Sequence, residues 1–164
     1  LQGVYRTIGV SRVRFDIHRT GQALERMCQL LIRLEPVDVG LGNLRVATNS
    51  QTYSGRFSYL SDFPGSLARQ LVPFASGQSH VAVATMLREP EGSIISFINR
   101  SGAAKIRIEN SEPHVAAVEF SAPLDALVRA VVDAYDNIDQ VQYASWWPNH
   151  VFPTEALAEL KLSL

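Results

Sequence analysis

Residues 81–138 read VAVATMLREPEGSIISFINRSGAAKIRIENSEPHVAAVEFSAPLDALVRAVVDAYDNI, and the fold turns on this stretch. It holds four apolar runs: Val81–Leu87, Ser93–Ile98, Ala104–Glu109 and Val115–Ser121. The segments between them are built of turn formers: Arg88–Gly92, Asn99–Gly102 and Asn110–His114. Short apolar runs punctuated by Gly, Pro, Asn and Ser predict strands joined as hairpins. In the third run Ala104, Ile106 and Ile108 alternate with Lys105, Arg107 and Glu109, which gives one buried face and one wet face. Connections this short favour antiparallel neighbours, because a parallel crossover needs a dozen or more residues.

After Ser121 the period changes. Leu124, Leu127, Val128, Val131, Tyr135 and Ile138 recur at helical spacing, whereas Asp125, Arg129, Asp133 and Asp136 fall mostly off that face. Ser121 is the expected N-cap, Pro123 suits the first turn, and Asp125 complements the positive end of the helix dipole. The expected fold is therefore α+β: a mostly antiparallel sheet with a four-strand meander, covered by amphipathic helices.

Upstream, Val4–Ile8 and Arg12–Ile17 read as strands, and a helix is expected from Thr20 or Gly21 to about Leu34, stopped by Glu35-Pro36. Val37–Gly42 reads as a loop. Asn43–Thr48 and Gln51–Tyr59 read as strands, with Gly55 marking a bulge or turn. Asp62–Val72 reads as a short helix, with Pro73–Gly77 leading back to the sheet. Downstream, Asp139–Ser145 is a short helix or an irregular segment, Trp146–His150 an aromatic turn, and Thr154 the cap of a last helix with Leu157, Leu160 and Leu164 on one side.

The chain has 164 residues, which fits a single α+β domain spanning 1–164. It holds no apolar run of about 18 residues, so no membrane span is expected. Cys28 is the sole cysteine, which rules out an internal disulfide and suits a reducing, cytoplasmic setting. A net charge of −1 argues against nucleic-acid binding. That sum hides an asymmetry: residues 1–108 carry 13 Lys and Arg against 7 Asp and Glu, and residues 109–164 carry 2 against 9. The two halves either pair internally or leave an acidic outer surface on the last third.

Signatures of chemistry are weak. His18, His80, His114 and His150 lack the local ligand spacing of a zinc site, so no metal or cofactor is expected. Phosphate-binding loops and nucleophile elbows are absent, and Gly40-Leu-Gly42 reads as a plain loop. Glu109 and Glu119 read as surface carboxylates on neighbouring strands. No catalytic residue is expected.

The segment Val118-Glu-Phe-Ser-Ala-Pro-Leu-Asp-Ala-Leu-Val128, a strand ending in Phe-Ser before Pro-Leu and an amphipathic helix, resembles small bacterial immunity proteins of the contact-dependent inhibition and polymorphic-toxin type. The resemblance covers about residues 81–138. It implies a non-catalytic cytoplasmic protein that binds and blocks one cognate toxin protein, often a nuclease domain. Asp125, Asp133, Asp136 and Asp139, with Tyr143, Trp146 and Trp147, are the expected contacts, because an acidic surface steers a basic partner and aromatic residues anchor interfaces. The other reading of the three aromatics is that they cap one end of the core beneath the C-terminal helix. The alternative is a small-ligand-binding or enzymatic domain using an arginine-rich site in the first half, gathering Arg12, Arg14, His18 or Arg107. A third option is a scaffold or oligomerisation module.

Val131 sits at the centre of the helix face. A Val131→Asp substitution places a carboxylate in that seam, and the expected outcome is loss of the cooperative unfolding transition, read by circular dichroism melts.

Overall fold

The computed structural model describes residues 29–88, 91–112 and 114–164. The expected strands at Val4–Ile8 and Arg12–Ile17, the start of the first expected helix, and Cys28, Arg12, Arg14 and His18 lie outside the described residues.

Seven strands form two antiparallel sheets. The first has the order β1 (Leu31–Asp38), β2 (Leu41–Ala47), β3 (Thr52–Ser58). The second is the expected meander, β4 (Val81–Arg88), β5 (Glu91–Arg100), β6 (Ala103–Asn110), β7 (Val118–Pro123). Four helices complete the described chain: α1 (Phe63–Ala75), α2 (Leu124–Asp136), α3 (Gln140–Trp146) and α4 (Thr154–Leu162).

The meander works by side-chain alternation. Ala82, Phe97, Ile106 and Phe120 lie in one cross-strand row, and Ala84, Ile95, Ile108 and Val118 in the next. Seven of these eight are buried, and Val118 is half-buried against the core. The small side chains of Ala82 and Ala84 let α1 lie close over β4, where Phe74 meets Phe97 at 6.3 Å between ring centroids. Complementary large and small residues fill that layer without voids. The opposite face of the sheet differs from strand to strand. On β6 and β7 it holds the ion network Lys105–Glu119 (2.8 Å), Arg107–Glu109 (2.6 Å) and Arg107–Glu119 (3.7 Å). The Lys105 ammonium, bonded to Glu119, holds that carboxyl below its usual range.

Helix α2 ties the two sheets together. It packs on β1 of the first sheet and on β6 and β7 of the second. Leu127, Val128, Val131 and Tyr135 are buried as the periodicity predicts, and Leu124 and Ile138 are half-buried at the ends. Burying these four side chains contributes roughly 6–12 kcal/mol gross, at ~1.5–3 kcal/mol each, before chain entropy is charged against it. The cap differs from expectation. Pro123 occupies the N-cap with no side-chain bond, and the Leu124 N–H donates instead to the carbonyl of Gly102 (3.0 Å) in the β5–β6 turn. Ser121 stays in β7 because that strand starts three residues later than expected, paired along β6 out to Ala103↔Pro123.

The segment around Leu31–Leu34 is a strand, not the end of a helix. Leu31 and Leu34 fit a helical face, but Leu30, Ile32 and Leu34 also fit a period of two. Pairing with β2 decides for the strand: Ile32 faces Val46 and Leu34 faces Leu44. Pro36 is tolerated because β1 lies at the sheet's edge in the described order, where a missing N–H breaks no ladder. The expected loop at Val37–Gly42 is a hairpin tip, with only Val39 and Gly40 between the strands. Gly40 has φ +71°, and a Cβ there would lie 2.5 Å from the Tyr59 ring.

Gly55 makes no bulge. It pairs regularly with Leu44, and the Tyr53 phenol folds over the space a side chain would need. Helix α1 does not stop at Val72 but runs through Pro73 to Ala75, because Phe74 continues its buried face. Its N-cap is Asp62, which accepts from Gly65 N–H (3.2 Å) and pairs with Arg69 (2.5 Å). In α4 the N-cap is Pro153 rather than Thr154, and Leu164 is exposed.

Two buried tyrosines behave oppositely. The Tyr135 hydroxyl donates to the Pro64 carbonyl and so links α2 to the first turn of α1. The Tyr143 hydroxyl is buried with no hydrogen-bond partner among the described residues. Burial pushes both phenols above their ordinary value. An unfolded tyrosine ionises near pH ~10 and these stay neutral, so their contribution is whole below about pH 10 and falls above it, by up to ~1.4 kcal/mol per pH unit each. Tyr135→Phe is expected to cost about 1 kcal/mol at neutral pH, whereas Tyr143→Phe is neutral or stabilising because it deletes an unsatisfied group. Each substitution removes its own share of the alkaline loss. Denaturant titrations across pH 7–11 measure both effects.

Candidate protein-docking surface

Seven residues were expected to form a contact surface, and the fold separates them into two sets. Asp125, Asp133, Asp136 and Asp139 are exposed. Asp125, Asp133 and Asp136 share one side of α2 with Arg129, over about 16 Å of helix at ~1.5 Å per residue. Asp136 pairs with Lys161 of α4 at 2.7 Å. Asp139 caps α3, accepting from Val141 N–H at 2.8 Å. Among the described residues Asp125, Asp133 and Asp139 have no ion-pair partner.

The aromatic residues divide. Tyr143 and Trp147 are core residues, each 3% exposed, and present almost no area to a partner. The cause is Gly42. Phe57 sits opposite it and lays its ring across the glycine, where a Cβ would be 2.6 Å from Phe57 Cζ. From there Phe57 meets Trp147 at 5.0 Å and Phe63 at 4.8 Å, while Tyr143 meets Phe152 edge-on at 5.1 Å. The Trp147 indole N–H, like the Tyr143 hydroxyl, has no partner among the described residues. Trp146 is half-buried: it packs against the core and lines one crevice with Phe57, Tyr143 and Trp147.

Trp146 belongs to a feature that sequence reasoning missed. The β1–β2 tip is held to the end of α3 by Gly40 N–H donating to the Trp146 carbonyl at 2.6 Å. Pro36, Val37, Asp38, Val39 and Trp146 line an open, mostly apolar hollow of about 370 Å³ there. Val37 and Val39 are 51% and 66% exposed, a high value for apolar side chains beside a tryptophan. One acid, Asp38, is in its lining, and Glu35 lines the adjoining crevice with Ile138 and Trp146. Farther along β1, Asp133 and Asp136 border a second hollow of about 450 Å³ with Leu31, Ile32 and Arg33. An apolar centre with a charged rim is the ordinary anatomy of a protein interface.

Other candidate groups are committed elsewhere. Arg107 is engaged by Glu109 and Glu119, which takes it out of an anion site and ties up both carboxylates. His150 lies against the Tyr59 carbonyl (3.1 Å) and Asp62 (3.8 Å), in the joint between β3 and α1. Among the described residues no three His, Cys, Asp or Glu side chains gather as metal ligands, and no helix is long and apolar enough to cross a membrane.

No family model matches the chain, and no curated protein does. Among solved structures it is similar to the CdiA-CT/CdiI toxin and immunity complex from Enterobacter cloacae, at 10% identity and a TM-score of 0.45, over 67% of this chain and 99% of that one. An overlap of that size carries no weight for function.

Proposed function

We propose that this chain is a non-catalytic binding protein that neutralises a cognate bacterial toxin in the cytoplasm by docking on it. The observation that carries the reading is the hollow at Trp146, with Asp38 in its lining. Trp146, Val37 and Val39 supply desolvatable area, and tryptophan is favoured at the energetic centre of interfaces. Asp38, Asp133 and Asp139 supply negative charge that no basic side chain neutralises among the described residues. The partner face that fits is basic, with an apolar or guanidinium group to set against the indole. A nuclease domain, basic because it binds nucleic acid, has that character. The resemblance of residues 118–128 to immunity proteins points to the same class of partner.

Two substitutions separate anchoring from steering. Trp146→Ala is expected to weaken the complex by about 2 kcal/mol or more, roughly thirtyfold, mainly through faster dissociation. Asp133→Lys is expected to slow association several-fold at low salt, and the difference should shrink as ionic strength rises. The full chain is co-expressed with the product of the adjacent upstream gene, and complex formation, protection from that product's toxicity and binding kinetics are measured. A neighbour that is not toxic and does not co-purify would sink the proposal, as would a complex indifferent to both substitutions.

A further inference from the structure

The second sheet is antiparallel, so the end of β4, the start of β5, the end of β6 and the start of β7 lie at one edge of it. Strand β3 crosses that edge and is tied at both of its ends. At one, Gln51 Nε2 donates to the Glu119 carbonyl of β7 (2.9 Å). At the other, Ser58 Oγ donates to the Leu87 carbonyl of β4 (2.9 Å), and Ser61 Oγ donates to the Thr85 carbonyl (3.2 Å). Between these ties no backbone bond joins β3 to the second sheet among the described residues. What remains is a slot of about 390 Å³, within the usual size range of small-molecule sites.

Its lining is unlike the hollow at Trp146. Arg56 of β3 and Arg88 of β4 both line it, together with Ser93, Asn110, Ser111 and Glu112. Two of the lining groups are already oriented: Ser93 Oγ is bonded to Asn110 Oδ1 (2.6 Å), and Ser111 Oγ accepts from Gly92 N–H (2.9 Å). Accepting that N–H leaves the Ser111 hydroxyl proton available to donate. Neither guanidinium has an ion-pair partner among the described residues, Glu112 included. Arg69, Lys105, Arg107 and Lys161 are paired with carboxylates, whereas Arg33, Arg45, Arg100 and Arg129 share with Arg56 and Arg88 the lack of an ion pair among the described residues. Arg56 and Arg88 differ from those four in lining one slot together. Two guanidinium forks that line one polar slot, neither ion-paired among the described residues, are suited to an oxyanion, which a fork can bind through two parallel N–H donors.

We propose that the slot between β3 and the end of the second sheet binds a small oxyanionic ligand, carrying a phosphate or carboxylate group between Arg56 and Arg88. The site is separate from the hollow at Trp146 and stands or falls without the docking reading.

The full chain is titrated at low ionic strength with inorganic phosphate and, separately, with citrate, by calorimetry and by chemical-shift changes of the arginine side chains. Saturable one-site binding is expected with at least one probe. Arg56→Gln and Arg88→Gln should each weaken it about tenfold or more, and Glu112→Gln should strengthen it by removing a repelling charge. Both arginines are exposed, so melting temperatures should hold and report intact folding. Preference for phosphate assigns a phosphorylated ligand, preference for citrate a carboxylate one, and equal binding a general oxyanion site. Absence of saturation with both probes overturns the proposal, as does binding that survives both arginine substitutions unchanged.

Discussion

The burial of α2 between two sheets is the constraint on which the molecule depends. Neither sheet closes a core alone: each is antiparallel with one apolar face, and a three-stranded or four-stranded layer needs something laid upon that face. Leu127 and Val131 are fully buried where the helix meets both layers, and Tyr135 reaches across to α1. Because α2 follows β7 directly, the helix axis is set by the sheet it leaves. The cap from Gly102 strengthens this, since the turn that ends β5 also fixes where the helix begins. The buried side chains of both sheets and of α1, α2, α3 and α4 consequently form one cluster.

Fixing α2 in turn places both surface features. Its C-terminal end sets α3 beside the β1–β2 tip, where Trp147 is buried and Trp146 is half-buried against the core. The packing of β1 on α2 carries the first sheet with it. The third strand of that sheet is then left lying across the end of the second rather than beside it. A strand paired alongside β4 would have continued the ladder and left no slot. The hydroxyls of Ser58 and Ser61 and the amide of Gln51 do the joining that a ladder would have done, and side-chain bonds at two ends cannot close the middle.

Much of the fold was legible because it is local. The β4–β7 meander follows from turn residues and from alternation in Ala104–Glu109, and α2 from six apolar positions at helical spacing. The exposure of Asp125, Asp133 and Asp136 followed from the same wheel. What was not legible depends on distant partners. Leu31–Leu34 satisfies both periods, and only Val46 and Leu44 select the strand. Trp146 and Trp147 are adjacent and identical in type, and the deeper burial of Trp147 rests on Gly42 leaving room for the Phe57 ring it meets. The hollow unites Val37 with Trp146, more than a hundred residues apart in sequence. The slot unites Arg56, Arg88 and Ser111 from three hairpins, and no spacing rule connects them.

Charge, too, is a matter of placement rather than sum. A net of −1 implies almost no long-range field, yet charge is unevenly placed around the first sheet. On its solvent face Arg33 stands directly across from Arg45, and Arg56 lies across from Asn43 one row away. Like charges opposed on neighbouring strands repel, so this pairing does not stabilise the sheet. Around the β1–β2 tip and the ends of α2 the charges are acidic instead. At physiological ionic strength fields fade over roughly 8 Å, so a partner approaching either side meets that side's charge and not the average. A basic face docking at Trp146, as proposed, would meet Asp38 there, and an oxyanion entering the proposed slot would meet Arg56 and Arg88, so each proposed site depends on its own local charge rather than on the near-neutral sum of the chain.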